Sequence, residues 1–279
     1  MSLGILTNVA ATYAENNLNQ TQSSLQNVLQ QLSSGSRINS GADDAAGLSI
    51  ADGLHANQAA LNQSAQNAQN GVGLLQTADG ALSQVTNLLD RAVTLATEAS
   101  NGGLTTAQSN AADTEFQSIL TEIGNIGSTT NYNSTAVFSA TATDFVVSDG
   151  TTAGTTTIAA TVGALTTANV GNGTGVDLST QVLTSQAAAQ TALGKITTAI
   201  ADVAAQRGAI GANINQLNAA ANVASSESVN LSAAESVIKS TNYGQATSDL
   251  AKYQVLNQTG ISALAQANSV AQEVLKLLQ

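Results

Sequence analysis

The sequence of 279 residues contains no cysteine, no proline and no tryptophan. Without a thiol, neither a disulfide nor a thiolate nucleophile can form. A proline inside a helix removes a hydrogen bond and clashes with the preceding turn, so a chain without proline suits long, unbroken helices. Aromatic residues make up only 3% of the chain. Because a compact globule is usually filled by larger side chains, this composition favours an elongated helical body.

Basic residues are also scarce, with 7 Lys plus Arg against 18 Asp plus Glu and a net charge of −11. Nucleic-acid binding needs clustered basic residues that displace counterions from phosphates, so the sequence predicts no nucleic-acid partner. No apolar run is long enough to span a membrane, which predicts no membrane insertion. The first basic residue is Arg37, so we expect no secretory signal peptide at the N-terminus.

The apolar residues recur at spacings of three and four, which is the period of an amphipathic helix. This rhythm is sustained over 54–99 and again over 193–238, and a strict seven-residue repeat is typical of a coiled coil. The middle of the chain is rich in Thr, Gly and Ala, with short β-favouring pieces and a turn signal at Asp149-Gly150. The sequence therefore predicts a mainly α fold, an elongated rod of long antiparallel coiled-coil-like helices with paired terminal helices and a small β-hairpin excursion.

Both ends of the chain carry thinner apolar stripes than the long helices do. Their apolar area is small against the entropic cost of ordering them, so we expect them to order only against each other and neighbouring subunits. This pattern predicts self-assembly. The residues predicted to take part are Leu18, Leu25, Leu29, Leu32, Arg37, Asp43, Asp44, Arg207, Leu264, Val270, Val274 and Leu278.

These patterns divide the chain into segments of different character. We expect residues 1–40 and 243–279 to form the two halves of an inner helical domain. Residues 41–135 and 186–242 are predicted to form the two parts of a rod domain, and residues 136–185 a short variable β region.

Charged side chains in unusual positions are predicted to be structural. Arg207 falls on the apolar register, where a charge needs a partner, and we expect one on a facing helix. Asp43 and Asp44 have no third ligand at metal-binding spacing and suit the N-terminus of a helix. His55 lies between Leu54 and Ala56 and cannot belong to an H-E-x-x-H zinc site. We therefore predict no catalytic residue, no metal and no cofactor, and expect that the chain is not an enzyme.

Two motifs carry a resemblance to a known family. The run over 32–47, LSSGSRINSGADDAAG, resembles the N-terminal signature of bacterial flagellins. The run over 206–217, QRGAIGANINQL, resembles their C-terminal signature. The resemblance implies a structural subunit that self-assembles into the flagellar filament for swimming motility, with paired terminal helices lining a central channel.

The resemblance also implies partners and a location. Besides a homopolymer with further flagellin subunits, it implies a filament cap, a hook-junction protein and an export chaperone. It implies secretion through the flagellum's own channel and an extracellular filament. Arg91, Leu95 and Glu115 resemble the positions through which a host Toll-like receptor engages the family.

Two alternatives remain at the level of sequence. A hook–filament junction protein of the same family shares the end helices but is present in few copies. A secreted adhesive or binding module, in which the rod displays the middle segment, belongs to a different class.

Overall fold

The structure, a computed structural model, describes residues 8–150, 155–171 and 176–277, with 271–277 described by their backbone alone. These residues confirm a mainly α fold with five helices and two short antiparallel hairpins. The chain divides into a first unit, within Met1–Ala56 and Leu231–Gln279, and a second unit, Asn57–Asn230. The helices are α1 (Val9–Ser34), α2 (Ala45–Ala99), α3 (Thr106–Thr129), α4 (Gln186–Lys239) and α5 (Tyr243–Leu277), and the strands are β1 (Asn131–Tyr132), β2 (Thr135–Ala136), β3 (Thr143–Val146) and β4 (Thr157–Ala160).

The core of the second unit contains residues of α2, α3 and α4 in one cluster. The buried positions of α2 recur every seven residues in two parallel lines, which is the a and d pattern of a coiled coil. One line holds Leu61, Ala68, Leu75, Leu82, Leu89 and Ala96, and the other holds Ser64, Gly71, Ala78, Val85, Ala92 and Ala99.

The buried face of α4 differs from the predicted one in its N-terminal half. The apolar register that runs through Arg207 also contains Leu193 and Ile200 and predicts all three on the seam, yet they are only half-buried. The neighbouring Ala192, Ala199 and Gln206 are buried instead. The core cluster that contains this half of α4 also contains residues of α3 and of the chain segment before α4, as well as of α2. A two-helix heptad pattern could not anticipate this rotation.

The start of α2 also lies outside the predicted range. The apolar rhythm begins at Leu54, whereas the helix begins at Ala45. Asp44 accepts a hydrogen bond at Oδ1 from the backbone N–H of Gly47 (2.8 Å), as an N-cap carboxylate does. The cap starts the helix well before its first sustained apolar turn.

The middle region contains the expected hairpin, in which β3 pairs antiparallel with β4 from Thr143↔Ala160 to Val146↔Thr157. Gly150 has a positive φ of 71°, as turn glycines often do, and residues 151–154 of the connection lie outside the described residues. A second hairpin, β1–β2, turns through Asn133 and Ser134, whose φ angles of 49° and 63° are those of a primed two-residue turn.

Candidate assembly surface of the terminal helices

The two terminal helices, α1 and α5, pack against each other within the first unit. Asn8 donates from Nδ2 to the backbone oxygen of Ala267 (2.8 Å), and Asn257 donates from Nδ2 to Oε1 of Gln22 (3.3 Å). Rising numbers on α1 therefore meet falling numbers on α5, so the pair is antiparallel. Gly260 provides the close approach, because a Cβ there would lie 3.2 Å from Cδ1 of a leucine on α1.

The interface between α1 and α5 buries little apolar surface. Leu18, Leu25, Leu32 and Leu264, all predicted to assemble, are only half-buried. Val28 is the one buried residue of α1. Large apolar side chains on the other faces of the two helices are exposed, and we call them the apolar stripe. Among the described residues it consists of Val9, Tyr13, Leu29, Tyr243, Val255, Leu256, Ile261 and Val270.

The remaining predicted residues of the C-terminus are only partly described. The backbone of Val274 lies in α5, and its side chain is outside the description. Leu278 lies outside the described residues.

The terminal pair continues into a short two-stranded contact that we call the junction bridge, between residues 35–37 and 238–241. The backbone N–H of Thr241 donates to the oxygen of Gly35 (3.0 Å), and that of Arg37 donates to the oxygen of Lys239 (2.7 Å). The Arg37 guanidinium donates from Nη2 to the oxygen of Ile238 (3.0 Å). Arg37 thus joins the segment after α1 to the end of α4.

Asp43 organises the loop between α1 and α2. Its Oδ2 accepts hydrogen bonds from the backbone N–H groups of Asn39 (3.0 Å) and Ser40 (2.8 Å) and from the Ser40 hydroxyl (3.1 Å). Because these donors favour the ionised carboxylate, they hold the pKa of Asp43 below its ordinary value. The two acidic residues therefore have separate roles: Asp43 holds the loop before α2, and Asp44 caps the N-terminus of α2.

Arg207 lies in the second unit and pairs within the chain. Its Nε donates to Oδ1 of Asp79 on α2 (2.7 Å), and its Nη2 donates to Oδ2 (3.4 Å). The carboxylate holds the pKa of Arg207 above its ordinary value. Both partners are more than one-third exposed, so the guanidinium leaves the core and still joins α4 to α2.

The three positions that resemble receptor contacts differ in exposure. Arg91 on α2 and Glu115 on α3 form a two-pronged ion pair, with Nε–Oε1 at 2.7 Å and Nη2–Oε2 at 3.1 Å, and both are exposed. Leu95 is 3% exposed and belongs to the core of the second unit. Only the ion pair presents side chains to solvent.

Comparison with known proteins identifies the family. The model of the bacterial flagellin N-terminal helical region matches residues 5–143, and that of the C-terminal helical region matches residues 193–278. The chain belongs to the bacterial flagellin family. Like its family, it is a structural subunit of the flagellar filament, through which bacteria gain motility. The family matches do not favour a junction protein or an adhesive module.

Two of the relatives are similar along nearly the whole length of this chain, and a solved flagellin structure is similar along part of it. The flagellin of Halalkalibacterium halodurans is 33% identical, with 98% of both chains covered. The flagellar filament 30.7 kDa core protein of Treponema maltophilum is 31% identical, covering 97% of this chain and 98% of its own. The crystal structure of Bacillus cereus flagellin has a TM-score of 0.48 and 27% identity, covering 61% of this chain and 94% of that one.

The described part of this flagellin holds no helix that is both long and apolar enough to cross a membrane. The same part of the chain holds no cluster of three or more His, Asp or Glu side chains that could bind a metal ion. Flagellins form the filament outside the cell, and the family is a structural one.

Proposed function

We propose that α1 and α5 form the surface through which subunits polymerise, with the apolar stripe buried against further copies of the chain. The observation that supports this proposal is that the described parts of α1 and α5 expose more large apolar side chains than they bury against each other. Among the described side chains, the pair buries almost no large one within the subunit, yet its free faces carry valine, leucine, isoleucine and tyrosine. Large apolar side chains that a subunit leaves exposed in number are a feature of protein–protein interaction sites.

The contrast with the second unit supports the proposal. There, leucines of α2 such as Leu82 and isoleucines of α4 such as Ile196 are buried in one core cluster. That unit buries the seam between its long helices within one chain, although Val223 and Val229 of α4 are exposed. The terminal helices bury no comparable seam among their described side chains, and a second copy with the same unsatisfied faces is the simplest partner, because open filaments are built from repeated heterologous contacts.

The terminal helices are also proposed to become fully ordered on assembly. Fixing each residue of a helix costs about 1–2 kcal/mol of conformational entropy, and the described part of the interface between α1 and α5 buries few large side chains to offset that cost. Burial of the apolar stripe by neighbouring subunits supplies the missing stabilisation. The junction bridge keeps the two chain ends together while this occurs.

The wider partners follow from the family alone and stand as proposals. They are the filament cap, the hook-junction protein and an export chaperone, together with secretion through the flagellar channel. Engagement of a host Toll-like receptor by the Arg91–Glu115 pair is proposed on the same basis, and the exposure of both side chains supports it.

Deletion of residues 245–279 removes nearly all of α5 and tests whether this helix as a whole is needed for polymerisation. The second unit lies outside the deletion, so we expect a soluble protein that does not polymerise. Filaments of this variant in electron micrographs would overturn the proposal.

Two point variants test the same surface more sharply. Val255 and Ile261 on α5 are 59% and 55% exposed, so replacing either with serine removes little packing within the subunit. Burial of such a side chain contributes about 1.5 kcal/mol or more. We therefore expect Val255→Ser or Ile261→Ser to raise the critical concentration for polymerisation about tenfold.

Val182→Ser is the matched control, because Val182 is 40% exposed in the second unit and precedes α4. It should leave the critical concentration unchanged. If both α5 variants polymerise like the control, the apolar stripe is not the assembly surface.

A further inference from the structure

The turn between α2 and α3 contains an Asn-Gly pair in an open environment. Asn101, Gly102 and Gly103 are all exposed. The backbone N–H of Asn101 donates to the oxygen of Glu98 (3.1 Å), and the N–H of Leu104 donates to the oxygen of Asn101 (3.5 Å). Among the described residues, neither the backbone N–H of Gly102 nor the Asn101 side chain has a hydrogen-bond partner.

A second Asn-Gly pair, Asn70-Gly71, is placed very differently. It lies in the middle of α2, where helical hydrogen bonding engages the Gly71 N–H. Gly71 is buried, and a Cβ there would lie 3.0 Å from Cδ1 of Leu217 and 3.1 Å from the ring of Phe145. Reaction at this pair would require local opening of a packed helix, which costs free energy.

We propose that Asn101 is a site of spontaneous deamidation and that the fold protects Asn70 from the same reaction. The backbone nitrogen of Gly102 attacks Cγ of Asn101, so that an N–Cγ bond forms and the Cγ–Nδ2 bond breaks. The proton lost by the backbone nitrogen is balanced by one that solvent gives to the departing amine, which leaves as ammonia. Water then opens the resulting succinimide at either carbonyl to give aspartate or isoaspartate, without oxidation or reduction.

The structure explains why Asn101 can react. The Gly102 nitrogen is not engaged as a hydrogen-bond donor, glycine presents no side chain to hinder the ring, and the turn is not held by buried packing. The product places a new negative charge at the C-terminus of α2, one turn from Glu98. Carboxylates are unfavourable at that end of a helix because of its dipole, so deamidation weakens the turn that it modifies.

Peptide mapping of aged protein tests the proposal directly. Protease cleavage after Glu98 and Glu115 releases the fragment 99–115, which separates Asn101 from Asn70 and from Asn172-Gly173, a pair outside the described residues. After incubation of the folded protein at mildly alkaline pH, we expect Asn101 to convert at least about tenfold faster than Asn70. Labelling by an isoaspartyl methyltransferase identifies the isoaspartate.

A denaturant arm separates the effect of the fold from that of sequence. In concentrated urea both Asn-Gly pairs should convert at similar rates, because neither is then held by helix or packing. Equal rates in the folded protein, or a difference that persists in urea, would overturn the proposal.

The variant Gly102→Ala provides the chemical control. The residue does not have a positive φ, and a Cβ there would lie 3.4 Å from Oε1 of Gln186, which is an ordinary contact. The variant should therefore fold normally and slow conversion at Asn101. An unchanged rate would exclude attack by the residue-102 nitrogen.

Discussion

Arg207 on α4 and Asp79 on α2 are joined by two hydrogen bonds from one guanidinium to one carboxylate, at 2.7 and 3.4 Å. Two-pronged contacts of this kind fix geometry as well as adding energy. Since both side chains are more than one-third exposed, water screens their attraction. The pair therefore sets the position of α4 along α2 more than it stabilises the core.

Replacing Arg207 with alanine should lower the free energy of unfolding of the monomer by about 1 kcal/mol, the upper end for an exposed pair with good geometry. Urea unfolding followed by circular dichroism measures this change. Arg91→Ala is the control, since the Arg91–Glu115 pair is more exposed and should contribute less. A larger loss for Arg91→Ala than for Arg207→Ala would contradict the account.

Gln206 is 2% exposed, and neither Oε1 nor Nε2 has a hydrogen-bond partner within the described part of the chain. A buried, unpaired amide costs about 1–3 kcal/mol. Gln206→Met keeps the length of the side chain without that cost, so we expect the midpoint of urea unfolding to rise. Gln206→Ala leaves a cavity and should not give the same gain. A methionine variant less stable than wild type would show that the amide is satisfied.

Gly127 lies in α3 where its backbone meets the chain segment before α4. A Cβ at this position would overlap the carbonyl oxygen of Leu165. Gly127→Ala should therefore destabilise the monomer by about 1–3 kcal/mol, as overpacking does. Gly194→Ala is the matched control in α4, where the added Cβ meets open space, and should stabilise by about 0.5–1 kcal/mol. If the midpoint temperature of thermal unfolding shifted in the same direction for both variants, the close approach at Gly127 would not explain its effect.

Asp43 makes the stability of the first unit depend on acid pH. Its pKa in the folded chain lies below the ordinary value of 3.8, so its contribution is present above that value and is lost as pH falls through the folded pKa. Asp43→Asn should lower stability at neutral pH and make the acid transition less steep. Asp52→Asn, an exposed carboxylate on α2, serves as the control. Identical acid transitions for Asp43→Asn and wild type would exclude this role.

The long helices could be predicted because their apolar period is local information. The spacing of seven from Leu61 to Ala96 is visible without a structure, and the same positions are buried. The rotation of α4 toward Ala199 and Gln206 could not be predicted. The core cluster there also contains residues of α3 and of the chain segment before α4, and the heptad pattern of α2 and α4 carries no information on that tertiary packing.

The sequence also could not predict which side chain each charged residue pairs with, for a related reason. The position of Arg207 on the apolar register predicted a partner on a facing helix, but many registers of α2 against α4 would satisfy that requirement. The turn at Asn133-Ser134 was missed because its signal is weak. Asparagine tolerates the left-handed region, whereas the hairpin signal that stands out in a sequence is Asn-Gly.

Amide hydrogen exchange, compared between free monomer and assembled filament, tests the assembly surface most directly. We predict that amides of α1 and α5 exchange rapidly in the monomer and become strongly protected in the filament. Amides of α2 and α4 within the second unit should be protected in both states and serve as the internal reference. Equal exchange of α1 and α5 in monomer and filament would show that neighbouring subunits do not bury these helices.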